Sequence, residues 1–470
     1  MTLSAYEAEL LTWHRSRLAK TRRQDKENLD VYNGDNLTEQ IGIAVPRELE
    51  EYAGNLNYCR RLIELKADRQ QVRRFTLPGE DQADPILRRI MDASNFGAQF
   101  AMFNTDRMVY GRGVMSVHVS ATGLPLFRAE SPTQMDVAID ELTEEPSSAA
   151  RFLKRARRPG QDRDENVGVL YLPDETVVAV EGRGGRWEEL SRQTHNLGRV
   201  PVVVYFNRRV TGKWEGEAEF KDLLPIQVAA NRAFLSLQLV QEAHGWPGKW
   251  VAVKSAEKLT TGPDGEPRSK LEAYVDSLML LSDPEAKVGQ FAAADLSNFQ
   301  AAFEEYDHKA SVVSGLPARY FQKNTQNPAT EGAIIADEIN LVRDVESDNE
   351  QLGIVLGRLA AIAYQVETGD ALDAPVAVDW FNPATPTLAQ RADALSKQVA
   401  AGALSREGFW DELGWTEARK AKERANMAAE ARMADPLFAH FGGRVIENPF
   451  TSLVGVANDA RADRVPQAVL

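Results

Sequence analysis

The residues that most often carry chemistry are few in this sequence, and their spacing fits no catalytic site. The histidines are His14, His118, His195, His244, His308 and His440. No two of them have the spacing of metal ligands on one helix or turn. The sequence has no G-x-x-x-x-G-K-[ST] phosphate loop and no G-x-S-x-G nucleophile turn. We therefore predict no catalytic residue, no metal and no cofactor.

The single cysteine and the carboxylates support the same prediction. Cys59 lies in a helix-like stretch, which favours a buried apolar side chain over a nucleophile, and one cysteine excludes an intramolecular disulfide. This cysteine usage fits a reducing compartment. Asp344, Glu346, Asp348 and Glu350 have even spacing, which on a helix spreads them around the cylinder. We expect a solvated acidic face rather than a metal cage.

The predicted helices and strands that would position these residues alternate along the chain. Helical patterns precede residue 111, a β-rich block spans 114–207, and a helix follows over 222–244. A smaller β-like insert covers 248–291, another helix ends near Ser314, and an irregular loop covers 317–328. Apolar spacing then predicts a helix over 329–366, which at ~1.5 Å per residue would be on the order of 55 Å long. The fold class is α+β, mainly helical, with a long helix and two β-rich inserts.

Composition places the chain among globular proteins. Of its 470 residues, 43% are hydrophobic and 26% are charged. The formal net charge of −14 argues against a broad surface that grips nucleic acid. It leaves open a local basic site, or a duct through which DNA passes without adhering. No uninterrupted apolar run approaches membrane-spanning length, so we expect no membrane segment.

Two stretches resemble one viral family. The first is Val313-Ser-Gly-Leu-Pro-Ala-Arg-Tyr-Phe321, followed by Asn327-Pro-Ala-Thr-Glu-Gly-Ala-Ile334. The second runs from Trp380 to Ala394 and is followed by Gly402-Ala-Leu-Ser405. Together with the order of the elements, these stretches resemble the bacteriophage portal protein family, in its SPP1-like branch found in siphophages of actinobacteria. The resemblance covers about residues 30 to 430.

The resemblance implies a portal fold made of a wing, a stem, a clip and a crown. The implied parts are a wing over 1–221, stem helices over 222–245 and 293–316, a clip over 246–292, a tunnel loop over 317–328, a spine helix and wing return over 329–384, a crown over 385–433 and a tail over 434–470. Such a subunit is not an enzyme. It assembles with identical copies into a dodecameric ring.

The resemblance also implies the function and the partners. The ring lies at one capsid vertex, and double-stranded DNA is packaged and ejected through its channel. The implied partners are the terminase large subunit, a head-completion or adaptor protein, and the major capsid and scaffolding proteins. The protein is then found in the virion, and in the host cytoplasm during assembly.

Two sets of residues are candidates for contacts. The implied tunnel loop carries Arg319, Tyr320, Gln322, Lys323, Asn324 and Gln326. Its only charges are Arg319 and Lys323, which predicts a modest basic ring that contacts phosphates weakly and reads no sequence. Trp246 and Trp250 flank the start of the implied clip and are candidates for partner contact, although core packing of the insert is an equal alternative.

Two other classes of function stay open at this point. One is a different head–tail connector or interaction scaffold without a DNA channel. The other is a carboxylate-dependent metal nuclease. Three measurements would separate the portal, the other connector and the nuclease. They are the mass of the assembly, an electron micrograph of it, and a test for DNA cleavage with Mg²⁺ or Mn²⁺.

Overall fold

A computed structural model gives the architecture. The described residues are 3–35, 54–80, 82–156, 164–182, 184–245, 249–252, 287–290, 296–321, 331–372, 374–384, 395–413, 415 and 417–434. The chain divides into two compact units, Met1–Ala384 and Thr385–Leu470.

The first unit begins with helices whose ends are set by local sequence. Helix α1 (Ala5–Asn33) starts with a capping box between Ser4 and Glu7 and ends at Gly34, where φ is 85°. Helix α2 (Tyr58–Ala67) is capped by the Asn57 side chain, and strand β1 (Val72–Thr76) follows. The sequence pattern predicts a helix over Asn57–Gln71, and the observed helix ends at Ala67, four residues earlier. Helices α3 (Pro85–Ser94) and α4 (Phe96–Tyr110) complete this part.

A β-rich block then covers residues 112–206, close to the predicted limits. Its strands are β2 (Arg112–Val119), β3 (Pro125–Glu130), β4 (Met135–Ile139), β5 (Pro146–Arg155), β6 (Glu165–Tyr171), β7 (Glu175–Glu181), β8 (Trp187–Thr194) and β9 (Val202–Phe206). They form a three-stranded sheet in the order β3-β2-β9 and a five-stranded meander from β4 to β8. The sequence patterns predict strands at Val114–Val119, Val167–Leu172, Thr176–Val180 and Val200–Phe206, which correspond to β2, β6, β7 and β9, and they do not predict β3, β4, β5 and β8.

The two sheets pack against each other and have helices on their outer faces. One face of the three-stranded sheet, with Met115 and Tyr205, packs against α3, α4 and the long helix described below. Its other face, with Val114 and Val202, packs against Met135 and neighbouring residues of the meander. Leu11 of α1 packs on the opposite face of the meander. The start of α1 and the later half of the long helix therefore lie on opposite sides of the two sheets, whereas Val31 near the end of α1 shares a cluster with Leu341 and Val345 of the long helix.

The rest of the first unit is dominated by helices. Helix α5 (Leu224–Gly245) packs against α6 (Ser297–Ser314), and between them strand β10 (Lys249–Ala252) pairs antiparallel with β11 (Lys287–Gln290). Within the insert the sequence predicts strands at Trp250–Val253 and Leu278–Leu281; the first corresponds to β10, and the second lies outside the described residues. Helix α7 (Glu331–Thr368) has 38 residues and is the long helix that the apolar spacing predicted.

The return from α7 fixes that helix against the rest of the unit. Strand β12 (Ala377–Trp380) pairs antiparallel with β1. The preceding residue, Val376, crosses α7 at Gly357 so closely that a Cβ there would lie 2.3 Å from the Val376 carbonyl oxygen. A glycine at this position therefore lets the backbone approach the helix.

The second unit contributes short helices. Residues 395–400 are helical, and α8 (Arg406–Glu412) and α9 (Glu417–Ala434) follow. The rings of Trp410 and Trp415 stack with centroids 5.6 Å apart, and Arg419 lies over the Trp415 ring. Arg424 of α9 donates to Glu407 of α8 at 2.7 and 2.8 Å.

Candidate functional site: the junction between α6 and α7

The chain leaves α6 through a fixed turn, immediately before the implied tunnel loop. Gly315 follows α6 with φ of 69°, a left-handed conformation that suits glycine. The backbone N–H of Leu316 donates to the Ser314 hydroxyl at 3.2 Å, and Leu316 itself is buried. Pro317 then starts a 3₁₀ turn over Ala318–Tyr320. The start of the loop is thus an ordered turn rather than an irregular segment.

Arg319 and Tyr320 are held in this turn by α7. The Tyr320 hydroxyl donates to Glu338 Oε1 at 2.7 Å, and the Arg319 guanidinium pairs with the same carboxylate. Arg69, which follows α2, donates to Glu338 Oε1 at 3.1 Å and to the Tyr320 hydroxyl at 2.8 Å. The Glu338 side chain is only 8% exposed. One buried carboxylate therefore joins α2, the turn and α7.

Helix α6 is attached to α2 by a second contact. The Tyr58 hydroxyl donates to Asp307 Oδ1 at 2.7 Å, and the Tyr58 ring meets the Phe321 ring edge to face at 5.4 Å. Burial raises the pKa of Tyr58, and the hydrogen bond to the Asp307 carboxylate raises it further. The neighbouring Cys59 is fully buried, and burial raises the pKa of its thiol, which confirms the predicted apolar role.

A buried arginine anchors the middle of α7. Arg107 of α4 is fully buried, and each nitrogen of its guanidinium has an acceptor. Nε donates to Asn104 at 2.7 Å, Nη1 to Asn207 at 2.8 Å and Nη2 to Gln70 at 2.9 Å. Asp348 of α7 accepts from Nη1 at 3.3 Å and pairs with Nη2 at 2.5 Å. This network joins α4 and α7 to Asn207, the residue that follows β9.

A lysine makes a third link to α7. Lys66 of α2 is 2.5 Å from Glu219 Oε1 and also pairs with Asp344 of α7. Burial opposes ionisation of Glu219, but the Lys66 ammonium outweighs it and lowers the pKa of Glu219 to about 2. Asn207 donates to the second Glu219 oxygen at 2.9 Å.

These contacts correct one part of the predicted solvated acidic face on α7: Asp344, Glu346 and Glu350 are exposed as predicted, whereas Asp348 is partly buried against Arg107. Glu338 and Asp348 lie in buried ion-pair networks, and Asp344 pairs with Lys66. Only Glu346 and Glu350 of that set are exposed without an ion pair in the part of the chain that the structure describes. The carboxylates position α7 against α2 and α4. Among the described residues, no group of three or more His, Cys, Asp or Glu side chains could hold a metal ion.

The other predicted contact residues are only partly located. Gln322, Lys323, Asn324 and Gln326 lie outside the described residues, and so does Trp246. Trp250 lies in β10, opposite Gly289 of β11. Sequence reasoning missed Arg69, Arg107, Glu338 and Asp348 as the residues that organise the junction. Of the helices that the structure describes, none is long and apolar enough to cross a membrane.

Comparison with known proteins defines the class. The family described as phage portal protein, SPP1 Gp6-like, matches residues 16–437, and the chain belongs to this family. This confirms the resemblance inferred from the sequence.

Individual relatives agree with the family match. A protein of Mycobacterium phage L5 named "Portal protein" is 30% identical over 420 residues, which are 85% of this chain and 83% of the relative. A protein of the same name from Mycobacterium phage D29 is 28% identical over 424 residues, which are 87% of this chain and 86% of the relative.

Two chains from solved structures of gene transfer agent particles align with this chain. A chain from a structure titled "Virion of native gene transfer agent (GTA) particle" has a TM-score of 0.43 and 14% identity, and the match covers 80% of this chain and 95% of that one. A chain from "Neck of empty GTA particle computed with C6 symmetry" has a TM-score of 0.44, 14% identity and the same coverage.

Proposed function

We propose that this protein forms a closed ring at one capsid vertex and that double-stranded DNA enters and leaves the capsid through the ring. The observation that carries the proposal is the family match over residues 16–437. Identical subunits close into a ring when each offers two unlike faces to its neighbours. Helix α7 and the five-stranded meander pack on different faces of the three-stranded sheet and give the subunit two unlike sides.

The portal parts are assigned within this proposal. The wing comprises 1–221 and the return over 329–384, with α7 as its spine. Helices α5 and α6 are the stem, the β10–β11 pair belongs to the clip over 246–292, and the tunnel loop covers 317–328. The crown comprises 385–433 and the tail 434–470.

The contacts at the junction between α6 and α7 support the proposal that the tunnel loop starts from a fixed position. Glu338 and Arg69 hold Tyr320 and Arg319, so the loop starts from a defined point on the spine. Arg319 pairs with Glu338 and Asp337, so the proposal assigns the main phosphate contact to Lys323, the other charge of the loop. A weakly basic loop suits a channel, since each bound phosphate adds affinity through counterion release and would slow passage.

Packaging assays with loop variants test the DNA contact. Lys323→Ala is expected to reduce DNA packaging or retention, while Lys323→Arg keeps both. Arg319→Ala and Arg319→Lys extend the comparison to the second loop charge. Lys213→Ala, which changes an exposed lysine between β9 and α5, is the matched control. Unchanged packaging and retention in both alanine variants of the loop would contradict the proposed contact.

The partners follow from the same assignment. During packaging the terminase large subunit docks at the clip, where Trp246 and Trp250 are the proposed contacts, and a head-completion or adaptor protein takes that place later. The ring also contacts the major capsid and scaffolding proteins. It assembles in the host cytoplasm and remains in the virion. Pull-down of the terminase by the full ring, with and without Trp250→Ala, tests the clip contact.

The shape and mass of the pure assembly test the central proposal. Electron micrographs are expected to show a ring with a central hole wide enough for duplex DNA, and native mass spectrometry a multiple of the 52.1 kDa subunit mass. A protein that stays monomeric under all conditions, also in infected cells, would contradict the proposal.

A further inference from the structure

The five-stranded meander ends at β4, and the outer edge of this strand has no partner strand in the described part of the chain. The Phe152 N–H donates to the Gln134 carbonyl at 2.8 Å. From there, the backbone hydrogen bonds to β5 fall on Asp136 and Ala138, because antiparallel pairing uses alternate residues. The N–H and C=O of Val137 therefore point away from β5. Neither has a hydrogen-bond partner among the described residues, although Val137 is only 5% exposed. Backbone groups that are this buried are rarely left unpaired.

Two other sheet edges need no added strand. At the outer edge of β3, the N–H groups of Phe127 and Ala129 donate to the side chains of Ser94 and Gln99, each at 2.9 Å. Strand β8, at the other end of the meander, is mostly exposed to solvent and carries three charged side chains, which discourage pairing with another strand. The β4 edge has neither of these features.

The β4 edge borders a groove of about 830 Å³. Lys20 and Gln24 of α1 line one side of the groove, Val204 and Phe206 of β9 line another, and residues between β9 and α5 line the rest. Helix α1 and strand β9 pack on opposite faces of the meander, so the groove between them continues the plane of that sheet beyond β4. A sixth strand of the meander would lie in this groove.

Most of the charged side chains that line the groove pair with one another. The pairs are Asp25 with Arg112, Asp136 with Arg17, and Glu217 with Lys221. Lys20 and Glu215 also line the groove, and both are exposed and form no ion pair within the described ranges. The groove therefore offers one free base and one free acid to an occupant, in addition to the backbone groups of Val137.

We propose that the groove receives an extended segment of the next copy of this chain, which pairs with β4 as an added strand. The inference rests on the proposed ring. An added strand supplies the donor and the acceptor that Val137 lacks, and its side chains point alternately toward α1 and toward β9. An acidic side chain of the segment pairs with Lys20. Every copy carries the groove, and the next copy supplies one segment for each groove. The groove and the segment are unlike surfaces, as closure of a ring requires.

Hydrogen exchange of the full-length protein before and after ring assembly tests the pairing. The Val137 amide is expected to exchange more slowly in the ring, by about tenfold or more, because it then donates to the added strand. The Thr194 amide is the matched control. It points away from β7 at the other end of the meander and should exchange at the same rate in both states. Equal protection of both amides would contradict a pairing at β4.

Charge reversal at the groove gives a second readout. Lys20→Glu places an acid opposite the acid of the segment and is expected to raise the protein concentration needed for ring assembly by about tenfold or more. Arg22→Glu makes the same change at an exposed residue of α1 that does not line the groove, and it should assemble like the wild type. Sedimentation velocity across a concentration series measures assembly. Normal assembly of Lys20→Glu would count against the pairing.

The outcomes separate this inference from the proposed function. If rings form but the Val137 amide stays unprotected, or is already protected before assembly, the pairing is wrong and the proposed function stands. Protection that appears only after another virion protein is added also overturns the pairing, because that protein is then the occupant. If the wild type itself never assembles, the proposed function and this inference both fail.

Discussion

Single residues on α7 decide how this helix is held. Burial of an arginine is tolerated only where its charge and its N–H groups find partners, and Arg107 has both. The same logic applies to Glu338, which accepts from Arg69 and Tyr320 and pairs with Arg319. The polar residues of the junction therefore act as positioning residues for the helix that begins after the loop.

Removal of the Asp348 carboxylate is expected to be costly. Asp348→Ala leaves the buried Arg107 guanidinium with an uncompensated charge, which should lower the free energy of unfolding by about 3–5 kcal/mol. Urea denaturation measures the change. Asp92→Ala removes an exposed carboxylate of α3 and should stay within about 0.5 kcal/mol of the wild type. Equal stabilities of the two variants would show that the network does not hold α7.

The Glu219 carboxylate should make stability depend on acid pH. Its pKa of about 2 in the folded protein lies below the ordinary value of 4.5. The stabilisation is therefore complete above pH 4.5 and is lost as pH falls toward 2, with about 2 kcal/mol lost by pH 3. We expect Glu219→Gln to be less stable than the wild type at pH 6, with a gap that narrows over this window. Urea denaturation from pH 6 to pH 3 measures the gap, and a constant gap would contradict the assignment.

Among the elements, α7 was the most predictable. Its apolar residues Leu341, Val345 and Leu352 have helical spacing, and all three are buried. The same spacing extends to Glu338 and Asp348, so the periodicity already placed these two carboxylates on the buried side. The prediction of a solvated face was wrong for Asp348, because its charge was weighed above its position on the helix, and it was confirmed for Asp344, Glu346 and Glu350, which are exposed.

The strands were less predictable for a physical reason. Strands β4 and β5 contain charged residues whose partners lie on other elements. Asp136 of β4 binds His14 of α1, and Arg151 of β5 pairs with Glu130 of β3. Tertiary partners of this kind override the local alternation of apolar and polar residues. The partners of Arg107 and Glu338 were hidden for a similar reason, because they come from segments far apart in the sequence.

Two glycines of α7 give a matched test of how closely the return segment packs on this helix. A methyl group at Gly357 would lie 2.3 Å from the Val376 carbonyl oxygen, whereas at Gly353 it would be 3.8 Å or more from Trp380 and Val378. Gly357→Ala should therefore destabilise the protein, by about 1–3 kcal/mol for an overpacked site. Gly353→Ala should raise stability by up to about 1 kcal/mol, because alanine favours the helix. Thermal unfolding that ranks the two variants the other way would contradict this packing.

At the scale of the whole molecule, the first unit contains all the residues of its own buried clusters. The four buried clusters and the residues packed against them all lie between Leu3 and Trp380, within the described part of the chain. The described residues of the second unit have contacts of their own, including the stacked Trp410 and Trp415. The chain thus combines a large unit that carries the junction with a small unit that the proposal assigns to the crown.

Truncation should separate the two units. A chain ending at Ala384 is expected to fold with an unchanged urea midpoint and near-ultraviolet circular dichroism, because no buried cluster loses a residue. A chain ending at Asp370 removes Val376 and β12, so that α7 and β1 lose their neighbours and the midpoint falls markedly. If the chain ending at Ala384 also loses its native signal, the first unit depends on residues beyond its own cores. If both chains fold equally well, the return over β12 does not hold the long helix in place.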